Sequence, residues 1–217
     1  MINNNTHIVF DLDDTLYKEI EFVRSAYVYI NKYIKSRFNL DLTSAIQELI
    51  KTNNSFFDFI KFKLHHKHNF AIEKYLELYR FHFPNISLPK DTLEFLNKLS
   101  DKKIMFSIIT DGRAITQKNK IKALGLNHLA QEIIISDETG YEKPHHNNFK
   151  IIQKKYPNKN FLYIADNPTK DFLAPNILNW NTICLLDNGQ NIHKQNFDLE
   201  FDYLPKYKIN QLKEILL

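Results

Sequence analysis

Glycine is scarce in this sequence, and the few that occur stand apart. There are four, Gly112, Gly125, Gly140 and Gly189, with none before Gly112. A G-x-G-x-x-G dinucleotide loop and a P-loop both need clustered glycines whose backbone N–H groups approach phosphate, so both are excluded. If the chain handles phosphate, it uses another device. Cysteine is nearly absent as well. The single Cys184 cannot close an intrachain disulfide, which suits a reducing, cytoplasmic setting. No run of 18 apolar residues occurs, so no membrane span is expected. The opening Met-Ile-Asn-Asn-Asn-Thr-His lacks a basic stretch followed by an apolar one, and no signal peptide is expected. Charge of one sign is also lacking: 29 basic residues face 25 acidic ones, far from a polybasic nucleic-acid binder.

What is present is ordinary globular composition, with 43% hydrophobic and 25% charged residues, which excludes a disordered chain. A length of 217 residues suggests one domain, or one carrying a sizeable insertion. It is enough to bury a core without disulfide or metal staples.

The first element is the short apolar run Ile8, Val9 and Phe10, a buried strand that ends in Asp11, Asp13 and Asp14. From Tyr17 to Leu88 the pattern is helical. One stretch runs Ile20, Val23, Tyr27, Ile30, Ile34 and Phe38. A second runs Phe56, Phe59, Ile60 and Leu64, and a third Ile72, Tyr75, Leu76, Tyr79 and Phe83. Asn53-Asn54-Ser55 and His68-Asn69 read as the breaks.

After Leu88 strand and helix alternate. Asp91 is placed to cap a helix from Thr92 to Asp101. Ile104 to Ile109 is a strand ending in Thr110-Asp111-Gly112. Thr116 to Leu124 is a helix with Gly125 just past its end. Ile133 to Ile135, Phe161 to Ala165 and Thr182 to Leu186 are strands, and His146 to Tyr156 is a helix. Asn167 and Pro168 read as N-cap and first residue of the next helix. The pattern predicts an α/β fold, a Rossmann-like parallel sheet over residues 1–16 and 89–217, with a helical insertion over residues 17–88.

Parallel crossovers return every strand to the same edge, so the strand ends meet. They bring Asp11, Asp13 and Thr15, then Thr110 and Asp111, then Asp166 and Asp171, with Lys143 on a loop between. Carboxylates that close raise one another's pKa unless a cation neutralises them. A hard divalent ion, Mg²⁺, meets that need with oxygen ligands, phosphate and water. A carboxylate can attack phosphorus, and a second one two residues on can protonate the leaving group and then activate water.

These residues carry a resemblance. Asp11-Leu12-Asp13-Asp14-Thr15-Leu16-Tyr17 resembles the first motif of the haloacid dehalogenase superfamily. Ile109-Thr110-Asp111-Gly112 resembles its second, Lys143 in Glu142-Lys143-Pro144 its third, and Ala165-Asp166-Asn167-Pro168-Thr169-Lys170-Asp171 its fourth. The four stand in the family's order. The resemblance implies a Mg²⁺-dependent phosphatase that forms an aspartyl-phosphate. Asp11 would be nucleophile and metal ligand. Asp13 would be the acid/base, with its carbonyl on the metal. Asp166 would be the third ligand and Asp171 its support. Thr110, Asp111, Gly112 and Lys143 would bind phosphate. The insertion resembles the family's α-helical C1 cap, which closes over a small phosphorylated metabolite, a sugar phosphate being one such substrate.

Two departures stand out: Ala165 replaces the usual glycine, and Asp111 a more common asparagine. The carboxylate at Asp13 disfavours dehalogenation and phosphonate cleavage. A phosphomutase, and a relic that binds phosphate or nucleic acid without catalysis, are the rival readings; the intact Asp11/Asp13 pair opposes the relic. The expected partner is the substrate alone, with no nucleic acid and no membrane, in a monomer or homodimer.

Other features read as structural. His65, His66 and His68 beside Lys67 form a solvated stretch, and Tyr27, Tyr29, Tyr33, Phe56, Phe57 and Phe59 are core at helical spacing. Cys184 is inert in its strand. Asp171 also suits a helix's first turn. Arg113 is read as exposed. Residues 17–88 hold 11 basic and 7 acidic residues, so the chain's whole excess of +4 lies on the insertion. That suits attraction of an anion, or a solvated face.

Overall fold

The computed structural model describes residues 2–3, 5–52, 54–67 and 70–216. Six parallel strands form one sheet: β1 (Thr6–Phe10), β2 (Phe106–Thr110), β3 (Ile133–Ile135), β4 (Asn160–Ala165), β5 (Asn181–Leu185) and β6 (Tyr207–Ile209). Their order is β3-β2-β1-β4-β5-β6, the doubly wound arrangement in which the chain reverses direction across the sheet at β1. β1 pairs with β2 through Ile8 and Phe106, and with β4 through Ile8 and Leu162.

Alternation along the strands builds two cores. Ile8, Phe10, Leu162 and Ile164 point to one face, against Phe95, Leu96, Leu99, Ile121 and Leu124. Val9, Phe161, Tyr163 and Ala165 point to the other, against Phe149, Ile152 and Trp180. Phe10 is fully buried on a face of aromatic edges, 5.6 Å from Phe106 and 6.4 Å from Phe95 between ring centroids. Truncating such a residue to alanine costs about 3–5 kcal/mol.

Helices cover both faces: α5 (Lys90–Asp101), α6 (Ala114–Ala123), the short α7 (Ser136–Thr139), α8 (Asn147–Lys155) and α9 (Leu173–Ile177). Between β1 and α5 lie α1 (Glu19–Phe38), α2 (Thr43–Thr52), α3 (Phe56–Leu64) and α4 (Ile72–Phe81). These four share a separate core of Ile30, Ile34, Leu42, Ile46, Phe56, Ile60, Leu64 and Tyr75. They are seated on α6, where Asn119 Nδ2 donates to the carbonyls of Phe81 (3.3 Å) and His82 (3.2 Å) and Thr116 Oγ1 to that of Arg80 (3.0 Å). No helix among the described residues is long and apolar enough to cross a membrane.

The structure corrects several local expectations. Asp91 caps nothing: α5 already starts at Lys90, because the Pro89 carbonyl accepts from Leu93 N at 2.9 Å. Asp91 instead favours the first turn through the helix dipole. Asn167 and Pro168 do not start a helix. Asn167 Oδ1 accepts from Thr169 N (3.1 Å) and Thr169 Oγ1 (2.5 Å), which closes a tight turn, and the next helix begins only at Leu173. Asp171 therefore precedes a helix and is not in its first turn. α6 starts two residues earlier than expected, at Ala114, while Gly125 takes the left-handed conformation that the helix end requires, at φ +70°. α2, α7 and β6 are additional to the elements the sequence pattern predicts. Of the breaks between helices, Asn53, His68 and Asn69 lie outside the described residues. Ser55 caps α3, its Oγ accepting from Asp58 N at 3.2 Å.

Candidate active site

The strand order sets β2, β1 and β4 side by side, so Thr110, Asp11 and Asp166 line one stretch of the sheet's carboxyl edge. Asp11 N extends the ladder by donating to Ile164 O at 2.9 Å. Asp171 is turned into the same place by the turn above, its Oδ2 accepting from Asn167 N at 2.9 Å. The carboxylates of Asp11, Asp166 and Asp171 are buried, with one oxygen of each within 4.8 Å of the others. Lys143 enters from the loop after α7. Its Nζ lies 2.6 Å from Asp11 Oδ1, 2.7 Å from Asp171 Oδ1 and 3.3 Å from Tyr163 OH.

One lysine thus serves two of three buried carboxylates. Burial would lower the Lys143 pKa, but Asp11 and Asp171 outweigh it and hold the ammonium well above its ordinary value. Asp11 is raised to about 6, by burial first and by Asp171, against the pull of Lys143. Asp166 goes further, to about 9, through burial and the charges of Asp171 and Asp11. Its hydrogen bonds are neutral ones: Asn191 Nδ2 donates to Asp166 Oδ2 at 2.9 Å. Three carboxylates with an all-oxygen donor set and one shared ammonium fit a hard divalent cation, which would supply the missing positive charge.

Asp13 lies apart from this cluster in a network of its own. Tyr17 OH (2.5 Å) and Lys120 Nζ (2.7 Å) donate to its Oδ1, and Gln117 Nε2 (2.8 Å) to its Oδ2. Burial would raise the Asp13 pKa, but the Lys120 charge and these donors hold it below the ordinary carboxylate range. Gln117 Nε2 also donates to Thr110 Oγ1 at 2.6 Å. Lys120 reaches Glu19 Oε1 at 3.4 Å, and its ammonium sits 4.4 Å from the centre of the Phe22 ring. The motif reading names neither Gln117 nor Lys120. Their signal is the stripe Gln117, Lys120, Ile121 and Leu124, whose spacing places both polar residues on the buried face of α6.

Several of the remaining expected residues have structural partners. Asp111 Oδ1 and Oδ2 accept from Lys143 N at 3.2 and 3.3 Å, which braces the lysine's loop. Gly112 N donates to Ser136 Oγ at 3.0 Å, and its φ of +133° is one that only glycine takes up without strain. Asp14 ties the start of α1 by accepting from Glu19 N at 2.9 Å. Among the described residues Thr15 Oγ1 is buried without a partner. Arg113, His65 and His66 are exposed. Tyr27, Tyr33, Phe56, Phe57 and Phe59 pack within the helical block, whereas Tyr29 is 45% exposed, its ring against His82, and is not core. Cys184 is buried in β5, its thiol pushed up to about 12, mainly by burial.

A parallel sheet of this order has counterparts among known proteins. The chain belongs to the haloacid dehalogenase-like hydrolase family, whose model matches residues 8–184. It is 30% identical to a glyceraldehyde 3-phosphate phosphatase of Methanocaldococcus jannaschii, over 96% of this chain and 94% of that protein. It is 27% identical to the protein of that name from Methanothermobacter thermautotrophicus, over 96% and 98%. Among solved structures it is similar to the HAD-hydrolase YfnB from Bacillus subtilis bound to magnesium. The TM-score is 0.62 at 17% identity, covering 98% of this chain and 97% of that one; this likeness concerns the fold.

Proposed function

We propose that this chain is a Mg²⁺-dependent phosphatase that hydrolyses a small sugar phosphate through an aspartyl-phosphate on Asp11. The observation that carries the reading is the buried Asp11–Lys143 contact of 2.6 Å beside Asp166 and Asp171. The substrate class is supported by two relatives named glyceraldehyde 3-phosphate phosphatase, each aligned over 96% of the chain.

In this reading Asp11 attacks phosphorus and the bond to the leaving alkoxide breaks. Asp13 gives that alkoxide its proton, then takes one from the water that cleaves the Asp11–phosphorus bond. Each proton transfer is worth roughly 10²–10⁴ in rate. With three donors on it, Asp13 rests as the carboxylate, the form that activates water. An arriving phosphate dianion favours its protonation and hence its role as acid. Thr110 and Lys143 hold the phosphoryl oxygens, with Gln117 fixing the Thr110 hydroxyl. Mg²⁺ would be held by Asp11, Asp166 and the Asp13 carbonyl, with Asp171 in support; when bound, it neutralises this charge and polarises the phosphoryl group. The helical block over residues 17–88 acts as a lid that excludes water.

The test is phosphate release from glyceraldehyde 3-phosphate by protein dialysed against EDTA, with and without added Mg²⁺, beside a panel of other phosphorylated metabolites. Mg²⁺-dependent release supports the proposal. An isomerised product with no free phosphate would overturn it in favour of a phosphomutase.

A further inference from the structure

The loop after β5 returns over the acidic centre, and it is knitted there by its own hydrogen bonds. Asp187 Oδ1 accepts from the N–H groups of Gly189 (2.8 Å), Gln190 (3.0 Å) and Asn191 (2.9 Å). Gln195 accepts from Asp187 N at 3.0 Å, and its Nε2 donates to the carbonyls of Leu185 (2.8 Å) and Asp166 (2.6 Å). Ile192 N donates to Asp14 Oδ2 at 3.1 Å. The loop is therefore fixed to the main chain at Asp166 and to the first acidic segment at Asp14.

This scaffold aims one side chain. Asn191 Nδ2 donates to Asp166 Oδ2 at 2.9 Å, while Asn191 Oδ1 accepts from Lys18 Nζ at 2.6 Å. Lys18 immediately precedes α1, where the chain leaves the sheet edge for the helical block. The amide thus bridges the ammonium at that junction and the one carboxylate of the cluster that Lys143 does not pair. Among the described residues no hydrogen bond reaches Asp166 Oδ1.

We infer that Asn191 is a positioning residue for divalent-cation binding: it fixes the rotation of the Asp166 carboxylate so that Oδ1 is presented to the ion. A neutral donor suits the place. It orients the carboxylate without supplying the positive charge that would displace a cation, whereas a lysine there would compete. Lys18 polarises the amide from its oxygen side and strengthens the N–H that Asp166 receives. Partners of this kind, which orient a ligand without touching the ion, typically carry 10–100-fold in metal affinity. The inference rests on the reading of the acidic cluster as a Mg²⁺ site.

The experiment is calorimetric titration of Mg²⁺ into metal-free wild type, Asn191→Ala and Lys18→Met, with thermal unfolding of each in EDTA. Asn191→Ala is expected to weaken Mg²⁺ binding roughly 10–100-fold, and Lys18→Met less, in the same direction. Unfolding temperatures in EDTA should stay near that of wild type, and kcat should recover at saturating Mg²⁺. Wild-type affinity in Asn191→Ala would overturn the inference alone. A wild type without saturable Mg²⁺ binding would overturn it together with the reading beneath it. Should Asn191→Ala fail to fold, Lys18→Met decides: unchanged affinity in that variant overturns the relay.

Discussion

The Lys120 ammonium lies 2.7 Å from the Asp13 carboxylate, and its side chain is 3% exposed. Lys120→Met removes the cation and leaves Asp13 and Glu19 facing each other in a largely dry site. Breaking one side of a buried pair costs about 3–5 kcal/mol. Asp13 keeps some contact with water, so the low end, about 3 kcal/mol, is expected from urea unfolding. A loss of under about 0.5 kcal/mol would show that the pair contributes no more than a surface one.

Asp11→Asn removes the proposed nucleophile and one charge from a crowded cluster. Hydrolysis should fall by at least about 10³-fold. Metal-free stability should not fall, because the native site raises the Asp11 pKa and so disfavours its charge at neutral pH. A folded variant with wild-type turnover would eliminate Asp11 as nucleophile.

Mg²⁺ that binds only the folded chain must stabilise it. At 100 times its Kd the gain is about 2.7 kcal/mol, or roughly 5–10 °C in Tm for a chain of this length. Scanning fluorimetry with and without Mg²⁺ checks this. Asp166→Asn should lose most of the shift, and retention of the full shift there would remove Asp166 from the ion's ligands.

His7 gives a pH dependence remote from the site. It is buried on β1, its Nε2 2.8 Å from Ser107 Oγ, and its pKa falls from the ordinary 6.5 to about 4, through burial first and then the nearby Lys159 charge. The folded state therefore favours the neutral ring. That contribution is complete above pH 6.5 and is lost as pH falls from 6.5 to 4, up to about 3 kcal/mol. His7→Gln should flatten this part of the stability profile. Equal slopes for variant and wild type between pH 6.5 and 4 would discard the assignment.

The apolar runs made the sheet legible, because a parallel strand buried on both faces reads as Ile8-Val9-Phe10 or Phe161-Leu162-Tyr163-Ile164 with no polar interruption. The carboxylates at the ends of those runs then followed. α2 is harder to read because its apolar stripe, Ile46, Leu49 and Ile50, spans little more than one turn, with Ile46 alone buried. β6 is an edge strand with Tyr207 and Lys208 exposed, and its three residues carry no pattern. Gln117 and Lys120 are polar residues on a helix, which are solvated by default. Only their place on the buried face of α6, beside Ile121, sets them apart. Asn191 leaves no local trace at all, since its role comes from a loop that folds back across the sheet edge.

The strand order also constrains how the protein comes into being. β1 is synthesised before its neighbours in the sheet, β2 and β4, so Ile8 must wait for Phe106 and Leu162. The helical block separates β1 from the first of these partners. Pairings so distant in sequence pay their loop-closure entropy before any reward arrives. Through much of translation, Asp11 is thus carried on a strand without partners. Its carboxylate meets Lys143, Asp166 and Asp171 only once the chain through Asp171 has been made, so the acidic centre and its electrostatic strain arise together, in a chain whose helical block is already available to fold.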